Sequence, residues 1–273
     1  MKTLAVTIGI IACLGLTARA ADDKIDLSGK LAVITGGSQG LGEAMARALS
    51  GAGATIALVA RNEAKLRGVR DSLVATGGKA AYFVADVTNE ADILRVASEI
   101  QSQLGTPQIL INNAGTNVRK PLEELTRAEF MSVIDSSLVA TFLVSRAFVV
   151  GMKQAGYGRI INMTSMLSHV SLPGRTPYSS AKAALLGFIR ALALETAGHG
   201  VTVNGISPGP IGTDLNRVVM EDPVANAQFL ANLPVGRWGR PDEVGALACF
   251  LASEQAGFIT GTDIVIDGGW TAK

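Results

Sequence analysis

Short, near-continuously apolar runs alternate with longer stretches of helix-forming residues along most of this chain, and that alternation leaves few folds open. The runs are Leu31 to Thr35, Thr55 to Val59, Ala80 to Val84, Gln108 to Asn112, Gly158 to Met163, Gly200 to Asn204 and Thr262 to Ile266. Between them lie Ala44 to Leu49, Glu63 to Leu73, Ala91 to Leu104, Leu122 to Met152, Tyr178 to Thr196 and Asp242 to Leu251, each with recurrent apolar positions suited to a helix packed on one side. Runs that are apolar at successive positions suit strands buried on both faces, as in a parallel sheet; an antiparallel sheet with one wet face would alternate instead. The expected class is α/β, one domain built on a doubly wound, seven-stranded parallel sheet with helices on both faces.

At 273 residues with 48% hydrophobic side chains, the chain can bury a sizeable core. Its formal net charge is +1 and it has no basic stripe, which argues against nucleic acid and anionic membrane surfaces as partners. Small molecules and further copies of the chain are the expected partners. The segment Thr213 to Leu233 is less regular, with Pro223 and Pro234 interrupting or ending it, and is expected to form a lid over a substrate.

The first run leads into a glycine-rich turn, Thr35-Gly36-Gly37-Ser38-Gln39-Gly40-Leu41-Gly42, and then into the helix former Glu43 to Leu49. Strand, glycine turn and helix start form a cradle for a dinucleotide pyrophosphate, as in a Rossmann fold. Gly36 lets the chain turn sharply, Gly40 permits close backbone approach, and Gly42 lets the helix pack tightly; Ser38, Gln39 and Leu41 are cofactor-binding candidates in the same turn. The spacing is G-x-x-x-G-x-G rather than G-x-G-x-x-G, and an ordinary structural turn is the alternative. At the end of the second run, where an acidic residue would bind the ribose hydroxyls of NAD, stands Arg61. A cation with no nearby carboxylate favours the 2′-phosphate of NADP(H), with NAD(H) and a merely solvated arginine as alternatives.

Ser165, Tyr178 and Lys182 are the candidate catalytic residues. A free phenol titrates at about pH 10, so Tyr178 is a poor base unless its phenolate is stabilised, and Lys182 at i+4 on the same helix face can do this. Ser165 follows the fifth run, at the carboxyl end of a strand, where its hydroxyl can hold a carbonyl oxygen. The set suits hydride transfer between a carbonyl and an alcohol, with Tyr178 supplying the proton as charge develops on the oxygen. An ordinary helix start with an exposed lysine is the alternative.

These residues, in this order, resemble the short-chain dehydrogenase/reductase family from about Ile25 to the C-terminus. Thr35-Gly36…Gly40…Gly42 matches that family's cofactor turn, Asp86-Val87 its adenine contact, and Asn112-Asn113-Ala114-Gly115 its sheet-stabilising motif. Ser165, Tyr178 and Lys182 match the catalytic residues, and Asn204, Ser207-Pro208-Gly209-Pro210-Ile211 and Thr213 match the segment contacting the nicotinamide carboxamide and diphosphate. The resemblance implies that Asn113, Ala114, Gly115, Tyr178 and Lys182 also line the cofactor, Lys182 through the nicotinamide ribose. It further implies a homotetramer, with the ending Asp267-Gly268-Gly269-Trp270 at an interface. One position departs: within Val133-Ile134-Asp135-Ser136-Ser137-Leu138, Ser137 stands where the family usually carries an asparagine that serves a proton relay. Ser137 is either a shorter relay member or a packing residue.

Thr116 to Pro121 and Gly236 to Pro241 look most like gluconate 5-dehydrogenases and related sugar-acid or polyol reductases. Arg119 is then a partner for a substrate carboxylate, or a solvated loop charge. A 3-oxoacyl-[acyl-carrier-protein] reductase shares nearly every motif and is the alternative. From another class, a nucleotide-binding protein that kept the fold and lost its chemistry would carry the same letters.

Residues 1 to 20 resemble a secretory signal peptide: Lys2, the uncharged stretch Leu4 to Leu16, and Ala18-Arg19-Ala20 before a cut after Ala20. The apolar stretch is short of the roughly 20 residues of a membrane span, so no stable span is expected. Export, periplasmic in a bacterium, competes with the family's cytoplasmic expectation, and an uncleaved anchor or a mis-assigned start are the other readings. Cys13 would leave with the signal, and Cys249 in an apolar run reads as a buried structural thiol. His169 reads as a solvated loop residue with substrate contact as the alternative, and His199 as a helix-end residue. No His, Cys or carboxylate set has metal-ligand spacing, so no metal is expected.

Overall fold

The computed structural model describes residues 24–272. Every apolar run forms a strand: β1 (Leu31–Thr35), β2 (Thr55–Ala60), β3 (Lys79–Val84), β4 (Ile109–Asn112), β5 (Gly158–Met163), β6 (Val201–Pro208) and β7 (Asp263–Ile266). They pair in parallel in the order β3-β2-β1-β4-β5-β6-β7. The chain winds outward from β1 to β3, then crosses back to β4 beside β1, creating the crevice at the strands' carboxyl ends where such sheets bind ligands.

Alternate strand residues feed two cores, because successive side chains point to opposite faces. Ala32, Ile34, Ile56, Leu58, Ile109 and Ile111 share one core with helices α1 (Gly40–Gly51), α2 (Glu63–Ala75) and α9 (Pro241–Ala252). Val33, Ala57, Val59, Leu110 and Ile160 face the other core with α3 (Glu90–Leu104), α5 (Ala140–Ala155) and α6 (Thr176–Thr196). Fully burying a Leu, Ile or Val contributes about 1.5–3 kcal/mol, so these two cores outweigh helix propensity in holding the layers. Cys249 lies in the first core, where burial pushes its thiol pKa up to about 12.

The expected long helix from Leu122 begins later. Leu122–Glu124 is a single 3-10 turn, and a capping box between Thr126 and Glu129 starts α4 (Arg127–Ile134). α4 continues into α5 through a π-turn at Asp135–Val139 that buries Ser136 and Ser137. Arg127–Ala155 is long and apolar enough to cross a bilayer, and half of its most apolar window is buried within the fold.

The segment expected as a lid forms a 3-10 turn, then α7 (Arg217–Glu221) and α8 (Pro223–Leu230). Pro223 does not interrupt a helix; it opens α8, where its missing N–H costs nothing and Asp222 accepts from the N–H groups of Val224 and Ala225. Phe229 of α8 stacks on Trp238 at 4.7 Å and leans on Trp270 at 5.1 Å, tying this segment to the C-terminal turn.

β6 runs four residues beyond the expected end at Asn204. Gly205 sits mid-strand opposite Asp263 of β7, and a Cβ there would lie 2.1 Å from Asp263 Oδ1. The glycine makes room for a neighbour's carboxylate. The leader, with Cys13 and its cut after Ala20, lies outside the described residues.

Candidate active site

Ser165 and Tyr178 converge from the end of β5 and the first turn of α6. Ser165 caps a short 3-10 turn, Met166–Ser168, with its Oγ accepting from Leu167 N at 3.1 Å, which leaves the hydroxyl proton free to be donated. Pro177 sets the start of α6, and Lys182 follows Tyr178 by one turn, buried at 5% exposure. Burial raises the Tyr178 phenol pKa, against which a hydrogen bond from Ser165 and the charges of Arg175 and Arg119 pull downward. Burial alone pushes the Lys182 ammonium down to about 8. Its Nζ donates to Met163 O at 2.6 Å and lies 5.6 Å from the Tyr178 ring centroid. The charges of Arg175 and Arg119 act on the phenol, and the Lys182 ammonium stands one helical turn behind it.

Ser137 meets Lys182 at Gly115. A Cβ on Gly115 would lie 3.1 Å from Ser137 Oγ and 3.8 Å from Lys182 Nζ, and the Ser137 hydroxyl is buried without a hydrogen-bond partner. The π-turn supplies this placement, since it shifts the helix face carrying Ser137.

In the glycine turn, three glycines, Gly36, Gly37 and Gly42, are packed by protein and one, Gly40, is open. A Cβ on Gly42 would lie 2.2 Å from Gly36 O, and one on Gly36 would lie 2.8 Å from Asn113 Nδ2. Asn113 braces the turn by donating to Thr35 O and Gly36 O at 3.1 and 3.2 Å. Gly40 has φ +59°, and a Cβ there would meet nothing within 4 Å, so its backbone is free for a ligand. Gln39 is exposed beside it, while Ser38 and Leu41 are half-buried. Ala114 continues from Asn113 into the crevice, its N–H donating to Thr35 Oγ1 at 3.2 Å.

Across the crevice, Pro208 is buried at the end of β6 and Gly209, Ile211 and Thr213 lead toward the lid. Thr213 and Gly40 line one cleft of about 460 Å³, between α1 and the lid, together with Met220 and Pro241. Beyond the turn, Arg61 Nη1 lies 3.8 Å from Asp86 Oδ2. The sequence offered no carboxylate near Arg61; the pairing of β2 with β3 brings one from across the strands. Val87 beside it is buried.

A family model described as enoyl-(acyl carrier protein) reductase matches residues 36–271. The chain belongs to the short-chain dehydrogenase/reductase family. The 3-oxoacyl-[acyl-carrier-protein] reductase of Pseudomonas aeruginosa is 35% identical over 90% of this chain and 98% of the relative. The gluconate 5-dehydrogenase of Gluconobacter oxydans is 33% identical over 92% of this chain and 98% of the relative. Among solved structures, a gluconate 5-dehydrogenase from Burkholderia cenocepacia J2315 in complex with NADP and tartrate superimposes with a TM-score of 0.88 at 33% identity, covering 92% of this chain and 98% of that one.

As a short-chain dehydrogenase/reductase the protein is an oxidoreductase, and its relatives are dehydrogenases and reductases acting on CH–OH groups. Three residues of this site had little or no signal in the sequence. Lys65 donates to Gln39 Oε1 and so adds a cation beside the glycine turn, from the solvent side of an α2 whose other face is packed. Arg175 is one loop arginine among many in the sequence, and the fold makes it the residue that precedes α6, with its charge acting on the Tyr178 phenol. His169, read as a solvated loop residue, is exposed and in addition pairs with Asp263 at 2.7 Å, a partner 94 residues away.

Proposed function

We propose that this short-chain dehydrogenase/reductase interconverts the carbonyl and the secondary alcohol of a sugar acid with NADP(H). Arg119 and Arg175 carry the acid part of this reading. Lys120 N donates to Gly174 O at 3.2 Å, which draws their two loops together, and Lys120 itself is neutralised by Glu129. Neither arginine has an ion-pair partner among the described residues, and the Arg175 guanidinium is held below its usual range by burial and by the charge of Arg119. A carboxylate beside Tyr178 would relieve both cations. Tartrate, bound in the Burkholderia structure, is an acid of this chemical kind.

The open backbone at Gly40 and the braced turn around Gly36 and Gly42 fit a dinucleotide pyrophosphate. Arg61 and Lys65 would hold a 2′-phosphate, with Asp86 drawing part of the Arg61 charge at 3.8 Å. When bound, the nicotinamide supplies or accepts the hydride. Ser165 holds the substrate oxygen by its free hydroxyl proton, and Tyr178 donates or accepts the proton at that oxygen. Lys182 and Ser137 stand behind the phenol and pass the proton onward.

The test is loss of nicotinamide absorbance with NADPH and NADH against 5-ketogluconate, a neutral ketose of similar size and an acetoacetyl thioester. The sugar acid is expected to exceed the neutral ketose in kcat/KM by about tenfold or more, the worth of one charged contact. Equal turnover of acid and neutral ketose would remove the arginine argument. Turnover of the thioester alone would make the protein a 3-oxoacyl thioester reductase, and cofactor binding without any turnover would make it a nucleotide-binding protein.

A further inference from the structure

A buried polar network behind Ser165 ends in one carboxylate. Asp263 Oδ1 is 2.5 Å from Thr164 Oγ1, and its Oδ2 is 2.6 Å from Ser207 Oγ and 2.7 Å from His169 Nε2. The Asp263 side chain is 9% exposed, and Thr164 and Ser207 are 3% and 0% exposed. Ser207 Oγ is also 2.9 Å from the main-chain carbonyl of Ser165. One carboxylate thus grips both ends of the 3-10 turn that carries Ser165: the front through Ser207, the back through His169, which closes that turn.

We infer that Asp263 is a positioning residue for the reaction, holding the Ser165 turn through Ser207 and His169. An acid buried to this degree needs donors, and three groups stand within reach: His169 Nε2 and the hydroxyls of Ser207 and Thr164, each hydroxyl also close to a main-chain carbonyl that competes for its one proton. The Ser207 hydroxyl has one proton and two acceptors, the Asp263 carboxylate and the Ser165 carbonyl. Any change in the charge at Asp263 therefore changes the hydrogen bond offered to the Ser165 backbone, and with it the aim of the Ser165 hydroxyl. The fold makes space for this acid at a cost in β6: Gly205 has no Cβ because Asp263 Oδ1 occupies that position. His169 and Asp263 also line a small cleft of about 210 Å³ with Arg190 and Thr262, so the back of the network opens toward solvent and the Arg190 side chain.

This role rests on the assignment of Ser165 to the substrate oxygen, and the test separates the two. With the substrate turned over best by the wild type, Asp263→Asn is expected to lower kcat about tenfold or more while the KM for NADPH stays within about twofold, because Ser165 faces substrate and not cofactor. Gly205→Ala, which displaces the carboxylate without removing it, is expected to reproduce that split, and His169→Gln to give a smaller loss. The double variant of Asp263→Asn with His169→Gln is expected to be no slower than Asp263→Asn alone, since both cut one network. An unchanged kcat in Asp263→Asn, a parallel rise in cofactor KM, or additive losses would overturn the inference. Silence of the wild type on every substrate would instead be a failure of the Ser165 assignment. An arm that needs no turnover uses the two histidines of the chain: with His199→Gln as background, nitrogen NMR of the single remaining imidazole is expected to show Nε2 as the protonated nitrogen, and to lose that preference in Asp263→Asn. The same spectrum in both proteins overturns the inference, including where Asp263→Asn is too unstable for kinetics and only His169→Gln can be assayed.

Discussion

Lys182 donates to the main-chain carbonyl of Met163 at 2.6 Å, so its buried ammonium is held by the backbone and not by a carboxylate. Such a charge is poorly compensated, which is why burial brings its pKa down to about 8 from an ordinary 10.5. Between these two values the unfolded chain binds the proton that the folded chain has released. This group's contribution to stability therefore rises with pH through that window, and below it the full cost remains, about 3 kcal/mol.

Lys182→Met is accordingly expected to stabilise the cofactor-free protein by about 1–3 kcal/mol near neutral pH, while turnover is lost. Urea unfolding at neutral and at alkaline pH checks this. The gain should shrink on the alkaline side, and a destabilised variant at neutral pH would contradict the buried-charge account.

Arg175 and Arg119 both pull the Tyr178 phenol downward against burial. Arg175→Ala removes one of these cations, so the phenol pKa should rise and the phenolate should form only at higher pH. Alcohol oxidation, which needs the phenolate, is expected to move its rising limb to more alkaline pH, whereas ketone reduction at neutral pH keeps its proton donor. The position of the limb in a profile of kcat against pH is the readout; a limb that stays in place would mean that Arg175 does not act on the phenol.

For the cofactor, Arg61→Asp puts a carboxylate where a 2′-phosphate would lie and faces it toward Asp86, which now pairs with Arg61 at 3.8 Å. The ratio of kcat/KM for NADPH over NADH is expected to fall by about 100-fold, the equivalent of about 2.8 kcal/mol. Lys65 remains in place beside Gln39 and limits the change. If the ratio does not move, 2′-phosphate recognition does not run through Arg61.

Ser137 buries a hydroxyl without a partner, a burden of about 1 kcal/mol or more. Ser137→Ala is therefore expected to raise the unfolding free energy by about that amount. If the hydroxyl passes protons to Lys182, the same variant should lower kcat severalfold with the KM for NADPH unchanged. A stabilised variant with full activity would leave Ser137 as a packing residue.

The strands were legible because burial on both faces demands apolar residues at successive positions, a pattern independent of distant partners. The sequence also brought Ser165, Tyr178 and Lys182 to one place, because strand end and helix start fix their spacing. What escaped it depends on neighbours far along the chain. Asp86 reaches Arg61 only through the pairing of β2 with β3, and Asp263 reaches His169 across 94 residues. The π-turn at Asp135–Val139 has no letter of its own, since its residues also suit an α-helix. Pro223 misled for a related reason: it looks like a break, and it is accommodated by a specific partner, the Asp222 cap.

The contact between Gly205 and Asp263 also restricts how this chain can diverge. Position 263 can hold an acid in this orientation only while position 205 has no side chain, so the two letters form a single heritable unit. A lineage that gains a methyl at 205 while the acid remains displaces the carboxylate from its partners, whereas one that has already surrendered the acid is free to fill the gap. Among homologous sequences, acid at the second position should therefore travel with glycine at the first, and the order of the two changes along a branch should run in one direction.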